Sequence, residues 1–330
     1  MREFFRELVH VLESGQPAVL VSVLASSGST PRGAGAMMAV FPDGRCMGTI
    51  GGGNVEFQAQ KLSAELLRSG KNDRREFRFV QGDAASLGMV CGGDVTVHFQ
   101  YLPAGSQAAV SVFRWLMELT GENTGAWMAR RLESERVTEM RALPSADPAA
   151  PELPALMKEK PVLTADGWFS IPVACPGTVY IFGGGHVSQE LVPAIARVGF
   201  RAVVYDDRPE FADPALFPQA VKTVCGGFTE LSQRLTITRD DYVVIMTRGH
   251  QADYEVLTQT LRSGVRYIGC IGSKKKLALC RDRLLDAGFT AEEYAAVHAP
   301  IGLAIGAETP AEIAVSVTAE LIAVRAGKLQ

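Results

Sequence analysis

The most constraining feature of this sequence is a short apolar run that passes through three glycines into an amphipathic helix. The run ends at Phe182, Gly183–Gly185 form the turn, and Leu191 and Ile195 continue at helical spacing. Glycines permit a tight strand-to-helix turn, and they let backbone amides approach a phosphate at the positive end of the helix dipole. Together with Ser188, these glycines have the spacing of a dinucleotide-binding turn, which predicts an anion site at the start of the helix.

A second apolar run ends in acid and completes a strand–helix–strand unit. Residues 201–207 close with Asp206 and Asp207, at about the twenty-residue offset where such folds hold a ribose hydroxyl. Arg208 follows directly. The alternative interpretation is a glycine turn that serves only to pack the helix on the sheet.

Three further β-branched runs, at residues 221–225, 242–247 and 266–271, continue this alternation of strands and helices. Nearly continuous runs of this kind are typical of a parallel sheet that is covered on both faces. The pattern therefore predicts a C-terminal domain, residues 176–330, with a Rossmann-like doubly wound parallel sheet.

The first half of the chain carries a different pattern. Residues 1–175 hold hairpin signals between scattered helices, which predicts an N-terminal α+β domain with a mixed sheet. Residues 144–176 contain seven of the seventeen prolines and are predicted to be a linker or loosely packed crossover, from which residues 168–173 return one strand to the first domain.

Basic and hydroxylated loops follow the fourth and fifth strands of the C-terminal domain. Arg248 and His250 come after the fourth strand, and Gly272, Ser273 and the lysines at 274–276 come after the fifth. Ligands bind beyond the carboxyl ends of the strands in such sheets. Three lysines at a helix N-terminus oppose the helix dipole, a cost that is easier to understand if an anion binds there. A solvated first helical turn is the alternative.

Glycine-rich loops also occur in the N-terminal domain. Thr30, Pro31 and Arg32 lie in a loop of small residues, and the run Gly51–Gly53 precedes Asn54, a plausible helix N-cap. If the strands between these two loops pair, the loops should be neighbours. Glycines that relieve crowding where strands cross are an equally good explanation of the run. With these further glycine loops, we interpret the turn at residues 183–188 as one wall of an anion-accepting cleft between the two domains.

Composition excludes several classes of function. The net charge is −3 and no stripe of Lys and Arg interleaves with aromatic residues, which argues against nucleic acid as a partner. No apolar stretch approaches the length of a membrane span, and no signal peptide is evident, so we expect a cytoplasmic protein. The six cysteines and five histidines are scattered, which gives no metal-binding pattern and suggests that each cysteine is a small buried hydrophobe. His98 is predicted to be a surface histidine.

Several motifs in order along both domains resemble the XdhC/CoxI family of molybdenum-hydroxylase accessory proteins. They are Gly28–Met37, Gly48–Glu56, Cys91–Gly93, Gly183–Val187, Asp206–Phe211, Ile271–Lys274 and Ile301–Ala314.

The resemblance implies a protein that binds molybdenum cofactor, or molybdopterin. Such a protein protects the cofactor while a cysteine desulfurase partner installs its terminal sulfur, and delivers it to xanthine dehydrogenase, an enzyme of purine catabolism, or a related hydroxylase. Family members commonly have cysteine where this chain has Asn54, so a role for that cysteine does not transfer. Cys91 becomes the best thiol candidate, with a plain core cysteine as the alternative.

Two other functions remain open. The C-terminal domain could serve an NAD(P)-dependent oxidoreductase in which His186 or His250 donates a proton, although no catalytic pair is recognisable in the first domain. Regulatory nucleotide binding is the other. We expect a homo-oligomer, a non-catalytic role and no metal site made by side chains.

The residues that we expect to contact the cofactor are distributed over both domains. They are Thr30, Pro31, Arg32, Gly51, Gly52, Gly53, Asn54, Glu56, Cys91, Gly183, Gly184, Gly185, His186, Val187, Asp206, Asp207, Arg208, Arg248, His250, Gly272, Ser273 and Lys274.

Overall fold

A computed structural model describes residues 1–28, 30, 32–79, 93–120, 125–145, 155–174 and 177–329. The chain divides into two compact units, Met1–Cys175 and Pro176–Gln330.

The regular elements of the first unit alternate strands with three helices in its described residues. They are α1 (Arg2–Glu13), β1 (Ala18–Gly28), β2 (Met37–Val40), β3 (Cys46–Gly48), α2 (Gly53–Ser69), β4 (Asp73–Phe79), β5 (Gly93–Leu102), α3 (Gln107–Leu119), β6 (Ala126–Glu133), β7 (Arg136–Pro144), β8 (Val162–Leu163) and β9 (Trp168–Ala174).

These strands form two sheets, with orders β3-β2-β1-β5-β4 and β7-β6-β9-β8. The α+β class is confirmed, but the pairings within the described residues are antiparallel rather than mixed. Consecutive strands joined by short turns run in opposite directions, because a parallel pair needs a long crossover. The proline-rich stretch also contributes β8 and β9 to the second sheet.

Both faces of the first sheet are covered. Successive side chains of β1 point to opposite sides, and each set packs in its own cluster. Val19, Val21 and Val23 pack in a cluster with residues of α2. Leu20 and Leu24 pack in another cluster with residues of α1, α3, β6 and β9.

His98 contradicts its predicted surface position. It lies on β5 opposite Ser22 of β1, is fully buried, and its Nε2 donates to the carbonyl oxygen of Glu135 at 2.9 Å. The predicted alternation of side chains along β5 was correct, but the face expected to be solvated is covered by the segment that holds Glu135, between β6 and β7. Burial and the nearby Arg130 guanidinium lower the pKa of His98 to about 4.

The second unit alternates strands and helices as predicted. Its elements are β10 (Thr178–Phe182), α4 (His186–Arg197), β11 (Arg201–Asp206), β12 (Lys222–Cys225), β13 (Tyr242–Ile245), α5 (His250–Thr260), β14 (Tyr267–Cys270), α6 (Lys274–Asp286), α7 (Ala291–Ala295) and α8 (Pro310–Arg325).

The five strands of this unit form a parallel sheet of order β12-β11-β10-β13-β14, which confirms the predicted Rossmann-like fold. Residues of α4 and α8 pack on one face, and residues of α5 and α6 pack on the other. The strand order reverses between β10 and β13, which is the position where such sheets bind ligands.

Helix α8 begins with a reciprocal capping box, in which Thr309 Oγ1 accepts from the Glu312 amide at 3.3 Å and a Glu312 carboxylate oxygen accepts from the Thr309 amide at 2.9 Å. We expect Thr309→Ala to lower the free energy of unfolding of this unit by about 1 kcal/mol, because a helix amide loses its acceptor. Denaturant titration measures the change. Thr309→Ser keeps the oxygen and should retain most of the stability; an equal loss in both variants would contradict the capping role.

Candidate functional site

The glycine turn between β10 and α4 is built so that two glycines are required and one faces open space. Gly183 has φ +108°, and a Cβ there would lie 2.4 Å from the carbonyl oxygen of Met246. A Cβ on Gly184 would lie 1.9 Å from the carbonyl oxygen of Phe211, whereas one on Gly185 would meet no heavy atom within 4 Å. The backbone therefore packs tightly against the residues that follow β13 and against the loop after β11, and its last glycine faces outward.

The start of α4 leaves its first amides without a capping side chain. Gly185 is the N-cap, and no side-chain cap hydrogen bond is formed there. His186 is exposed, Val187 is half-buried, and the buried Ser188 hydroxyl donates to the carbonyl oxygen of Gly183. The first amides of a helix have no intrahelical acceptor, and they carry the positive end of its dipole. Amides in this position can donate to an acceptor from outside the helix.

Asp206, at the end of β11, holds the glycine turn in place. Its Oδ2 accepts from the Gly184 amide at 2.8 Å, and its two carboxylate oxygens receive Nε and Nη2 of Arg208 at 2.9 and 3.0 Å. Burial opposes ionisation, but these hydrogen bonds outweigh it and lower the pKa of Asp206 below its usual value. Both oxygens are thus engaged by the protein at the position where a ribose hydroxyl was expected.

Three of the predicted strand-end residues come together beside this turn. Arg248 Nη2 lies 3.6 Å from Asp207 Oδ2, and Arg208 Nε lies 3.8 Å from Asp207 Oδ1. They line a cavity of about 350 Å³ where the loops after β11, β12 and β13 meet. His250 is exposed at the first position of α5.

The loop after β14 is linked to the same region through a lysine. Lys276 Nζ lies 2.6 Å from Oδ2 of the buried Asp253 and 3.4 Å from the carbonyl oxygen of Thr247. Part of the positive charge at the start of α6 is therefore balanced by a carboxylate of the protein itself. Ser273 is the N-cap of α6 and accepts from the Lys276 amide, while Lys274 is exposed and Gly272 is half-buried.

In the N-terminal unit, the run Gly51–Gly53 encloses a carboxylate of the chain. Glu56 Oε2 accepts from Thr49 Oγ1 at 2.5 Å, from the Ile50 amide at 3.0 Å and from the Gly52 amide at 3.1 Å. Burial opposes ionisation of Glu56, but these hydrogen bonds outweigh it and lower the pKa of the carboxyl group. All three glycines have positive φ, which explains the residue type without a ligand.

Asn54 was predicted to be the N-cap of α2, but the cap is Gly52 and Asn54 lies inside the first turn. The loop with Thr30 and the exposed Arg32 lies at the same end of the sheet as this run, because β1 pairs with β2 and β2 pairs with β3. Pro31 and Cys91 lie outside the described residues. Their predicted roles stay predictions.

Cysteine placement departs from the expectation that each is buried. Cys270 and Cys280 are buried, and burial raises the pKa of Cys280 to about 11. Cys46 and Cys225 are exposed. In the part of the chain that the structure describes, no group of three or more His, Cys, Asp or Glu residues is placed to hold a metal ion. No helix in those ranges is long and apolar enough to cross a membrane.

Sequence reasoning missed several cavity residues because they carry no motif. Phe228, Thr229, Gln251 and Glu255 also line the cavity, and the ring of Phe211 stacks on Arg208. The one available signal was position, since Phe228 and Thr229 follow the third strand and Gln251 and Glu255 lie in the helix after the fourth.

Two family models match the chain. The XdhC Rossmann domain matches residues 179–321, and the XdhC and CoxI family matches residues 11–78. The chain belongs to the XdhC/CoxI family.

Relatives are similar over nearly the whole chain. A probable xanthine dehydrogenase subunit of Bacillus subtilis is 26% identical, with 98% of each chain covered. "Molybdenum cofactor insertion chaperone PaoD" of Escherichia coli is 26% identical over 98% of this chain and 88% of its own length. "Uncharacterized protein YqeB" of Escherichia coli is 28% identical over 97% of this chain, which spans 46% of the length of that relative.

A solved structure has the same fold throughout. The crystal structure of a xanthine dehydrogenase from Bacillus halodurans superposes with a TM-score of 0.79 at 25% identity, covering 99% of this chain and 97% of its own.

Proposed function

We propose that this chain binds molybdenum cofactor, protects it while its terminal sulfur is installed, and delivers it to xanthine dehydrogenase or a related hydroxylase. The observation that carries the proposal is the uncapped start of α4, where a Cβ on Gly185 would meet no heavy atom within 4 Å. The preceding Gly184 donates its amide to Asp206, which also binds Arg208. Molybdopterin presents a phosphate, and a phosphate is the group that helix amides and guanidinium groups bind best.

The residues present fit the phosphate end of the cofactor. The amides at the start of α4 would hold the phosphate, and the exposed Arg248 would add a cation. The bound group would supply the dithiolene and its metal, while this chain supplies orientation and shielding. A cysteine desulfurase partner, a homo-oligomer and a cytoplasmic location stay predictions from the sequence and the resemblance.

The test is whether cofactor binding responds to charge at Gly185. We expect Gly185→Asp to reduce the molybdopterin that copurifies with the protein by about tenfold or more, because a carboxylate would repel the phosphate. Gly185→Ala is the matched control, since its methyl group meets no heavy atom within 4 Å and carries neither charge nor hydrogen-bond acceptor, so it should retain most of the cofactor. Equal retention in both variants, or no more molybdopterin than an unrelated protein carries, would overturn the proposal.

The cellular role has its own test. In a strain that lacks the gene, the hydroxylase should contain less sulfurated cofactor, and its activity should fall. A fully active, fully sulfurated enzyme in that strain would count against the maturation role even if the purified chain bound molybdopterin.

The alternative of an NAD(P)-dependent oxidoreductase leads to a contrasting measurement. We expect NADH and NADPH to bind weakly, because both oxygens of Asp206 already accept hydrogen bonds from Gly184 and Arg208. Fluorescence titration of the reduced nucleotides measures this directly. Tight, saturable binding that Asp206→Ala removes would favour the oxidoreductase.

A further inference from the structure

The cavity where the loops after β11, β12 and β13 meet is lined by groups that a phosphate ligand would not require. Its volume of about 350 Å³ lies near the lower end of the range for small-molecule sites, about 300 to 1,000 Å³, which suits one fused ring better than a whole dinucleotide. Asp206 lines it and also holds the Gly184 amide, so the cavity lies next to the anion site at α4.

Arg208 presents a flat, fixed guanidinium group to this cavity. The bidentate contact with Asp206 fixes the plane of the group, and its central carbon lies 3.6 Å from the centroid of the Phe211 ring. Phe211 covers one face of the guanidinium and is not part of the cavity lining, whereas Arg208 is. We infer that the opposite face of the guanidinium points into the cavity. A planar ligand could stack on that face, since guanidinium groups stack well on aromatic rings.

Glu255 places a carboxylate in the wall of the same cavity. Its Oε1 accepts from Gln251 Nε2 at 2.8 Å, and Gln251 Oε1 accepts in turn from Arg283 Nη1 at 2.8 Å. This chain of contacts orients the carboxylate. Among the residues that the structure describes, Glu255 forms no ion pair, unlike Asp207, which lies between Arg208 and Arg248.

We propose that this cavity recognises the 2-amino-4-oxo-pyrimidine edge of a fused heterocycle. Glu255 accepts hydrogen bonds from the ring N–H and the exocyclic amino group, and Arg208 stacks on the ring. This inference rests on the proposed function, in which the heterocycle is the pterin of the molybdenum cofactor and its phosphate lies at the start of α4.

The donor pattern of the ligand distinguishes this edge from other rings. A pterin or guanine edge offers two adjacent N–H donors, which a carboxylate accepts side by side. Adenine offers one donor beside an acceptor nitrogen, so its lone pair would face the carboxylate. A phosphate would be repelled by Glu255. The cavity therefore matches pterin or guanine, and the adjacent helix amides match the phosphate.

The experiment compares pterin with lumazine, which has an oxo group in place of the 2-amino group. Binding of each to the full chain is followed by quenching of ligand fluorescence near neutral pH. We expect pterin to bind about tenfold or more tightly than lumazine, because lumazine would leave a carboxylate facing an oxygen. Equal affinities for the two ligands would overturn the proposal without any substitution.

A variant pair assigns the preference to Glu255. Glu255→Gln should remove most of the discrimination by weakening pterin binding about tenfold and leaving lumazine binding nearly unchanged. Glu118→Gln, on an exposed position of α3, is the matched control and should bind both ligands as the wild type does. Discrimination that survives in Glu255→Gln would overturn the assignment.

Nucleosides separate the two sources of the same edge, because like pterin they carry no phosphate. Guanosine should bind more weakly than pterin, because the engaged Asp206 offers no acceptor for a ribose, and inosine should bind more weakly than guanosine. If guanosine bound more tightly than pterin, the pterin assignment would be wrong. A failure of copurified molybdopterin to depend on Gly185 would instead contradict the proposed function, so the two failures are distinguishable.

Discussion

Replacing Gly184 by alanine is expected to lower the free energy of unfolding of the C-terminal unit by about 3 kcal/mol. The new Cβ would lie 1.9 Å from the carbonyl oxygen of Phe211 and 2.9 Å from its carbonyl carbon, so the turn or the loop after β11 must move. Both contacts are with backbone, which has no rotamer that could relieve the clash. Movement of the turn also separates the Gly184 amide from Asp206, so ligand binding should fall together with stability.

Gly185→Ala is the matched control for this prediction. Gly185 has φ −69°, which suits any residue, and a Cβ there meets no heavy atom within 4 Å. The variant should therefore remain within about 0.5 kcal/mol of the wild type. Denaturant titration of both variants measures the difference. Similar losses of stability at the two adjacent glycines would show that helix propensity, rather than the close approach of Phe211, decides the effect.

Acid is expected to destabilise the N-terminal unit through His98. Its pKa is about 4 in the folded chain, below its ordinary value of 6.5, so the unfolded chain takes up the proton first as the pH falls. Above pH 6.5 His98 is neutral in both the folded and the unfolded chain, so its titration does not change the free energy of unfolding. Between pH 6.5 and 4 the free energy of unfolding declines by about 3 kcal/mol. The physical cause is the burial of a ring that cannot be charged beside Arg130.

His98→Gln isolates this contribution because it removes the titrating group. We expect the pH dependence of stability between 6.5 and 4 to become shallower in the variant, with carboxylates contributing equally to both proteins. An NMR titration of the histidine ring in the wild type gives the pKa directly and needs no variant. A ring pKa near 6.5 would contradict the prediction.

The C-terminal fold was predictable from the sequence because each of its elements has a local signature. Strands that are buried on both faces must be apolar nearly throughout, and the glycine turn leaves few alternatives between β10 and α4. The capping box of α8 was equally local, since Thr309 and Glu312 satisfy each other's amides. Family motifs were visible for the same reason, as they are short and ordered along the chain.

Roles that depend on contacts between distant segments were not predictable. Asp206 has the expected offset from the glycines, but only the folded chain shows that Arg208 and Gly184 occupy its oxygens. Glu56 was grouped with ligand-binding residues, whereas the structure places it as the anion inside its own glycine turn. In both cases groups that a motif alone would leave to a ligand are paired within the chain: the oxygens of Asp206 accept from Gly184 and Arg208, and the Gly52 amide donates to Glu56.

The sequence by itself determined the class of each unit, the succession of parallel strands along the C-terminal half and the position of the glycine turn before α4, because periodicity and glycine placement are local properties. Only the tertiary structure decided that His98 is buried and that Glu255 and Arg208 share a cavity. Those facts depend on which surfaces of the chain meet: a second layer covers β5, and three strand-end loops converge beside Asp206.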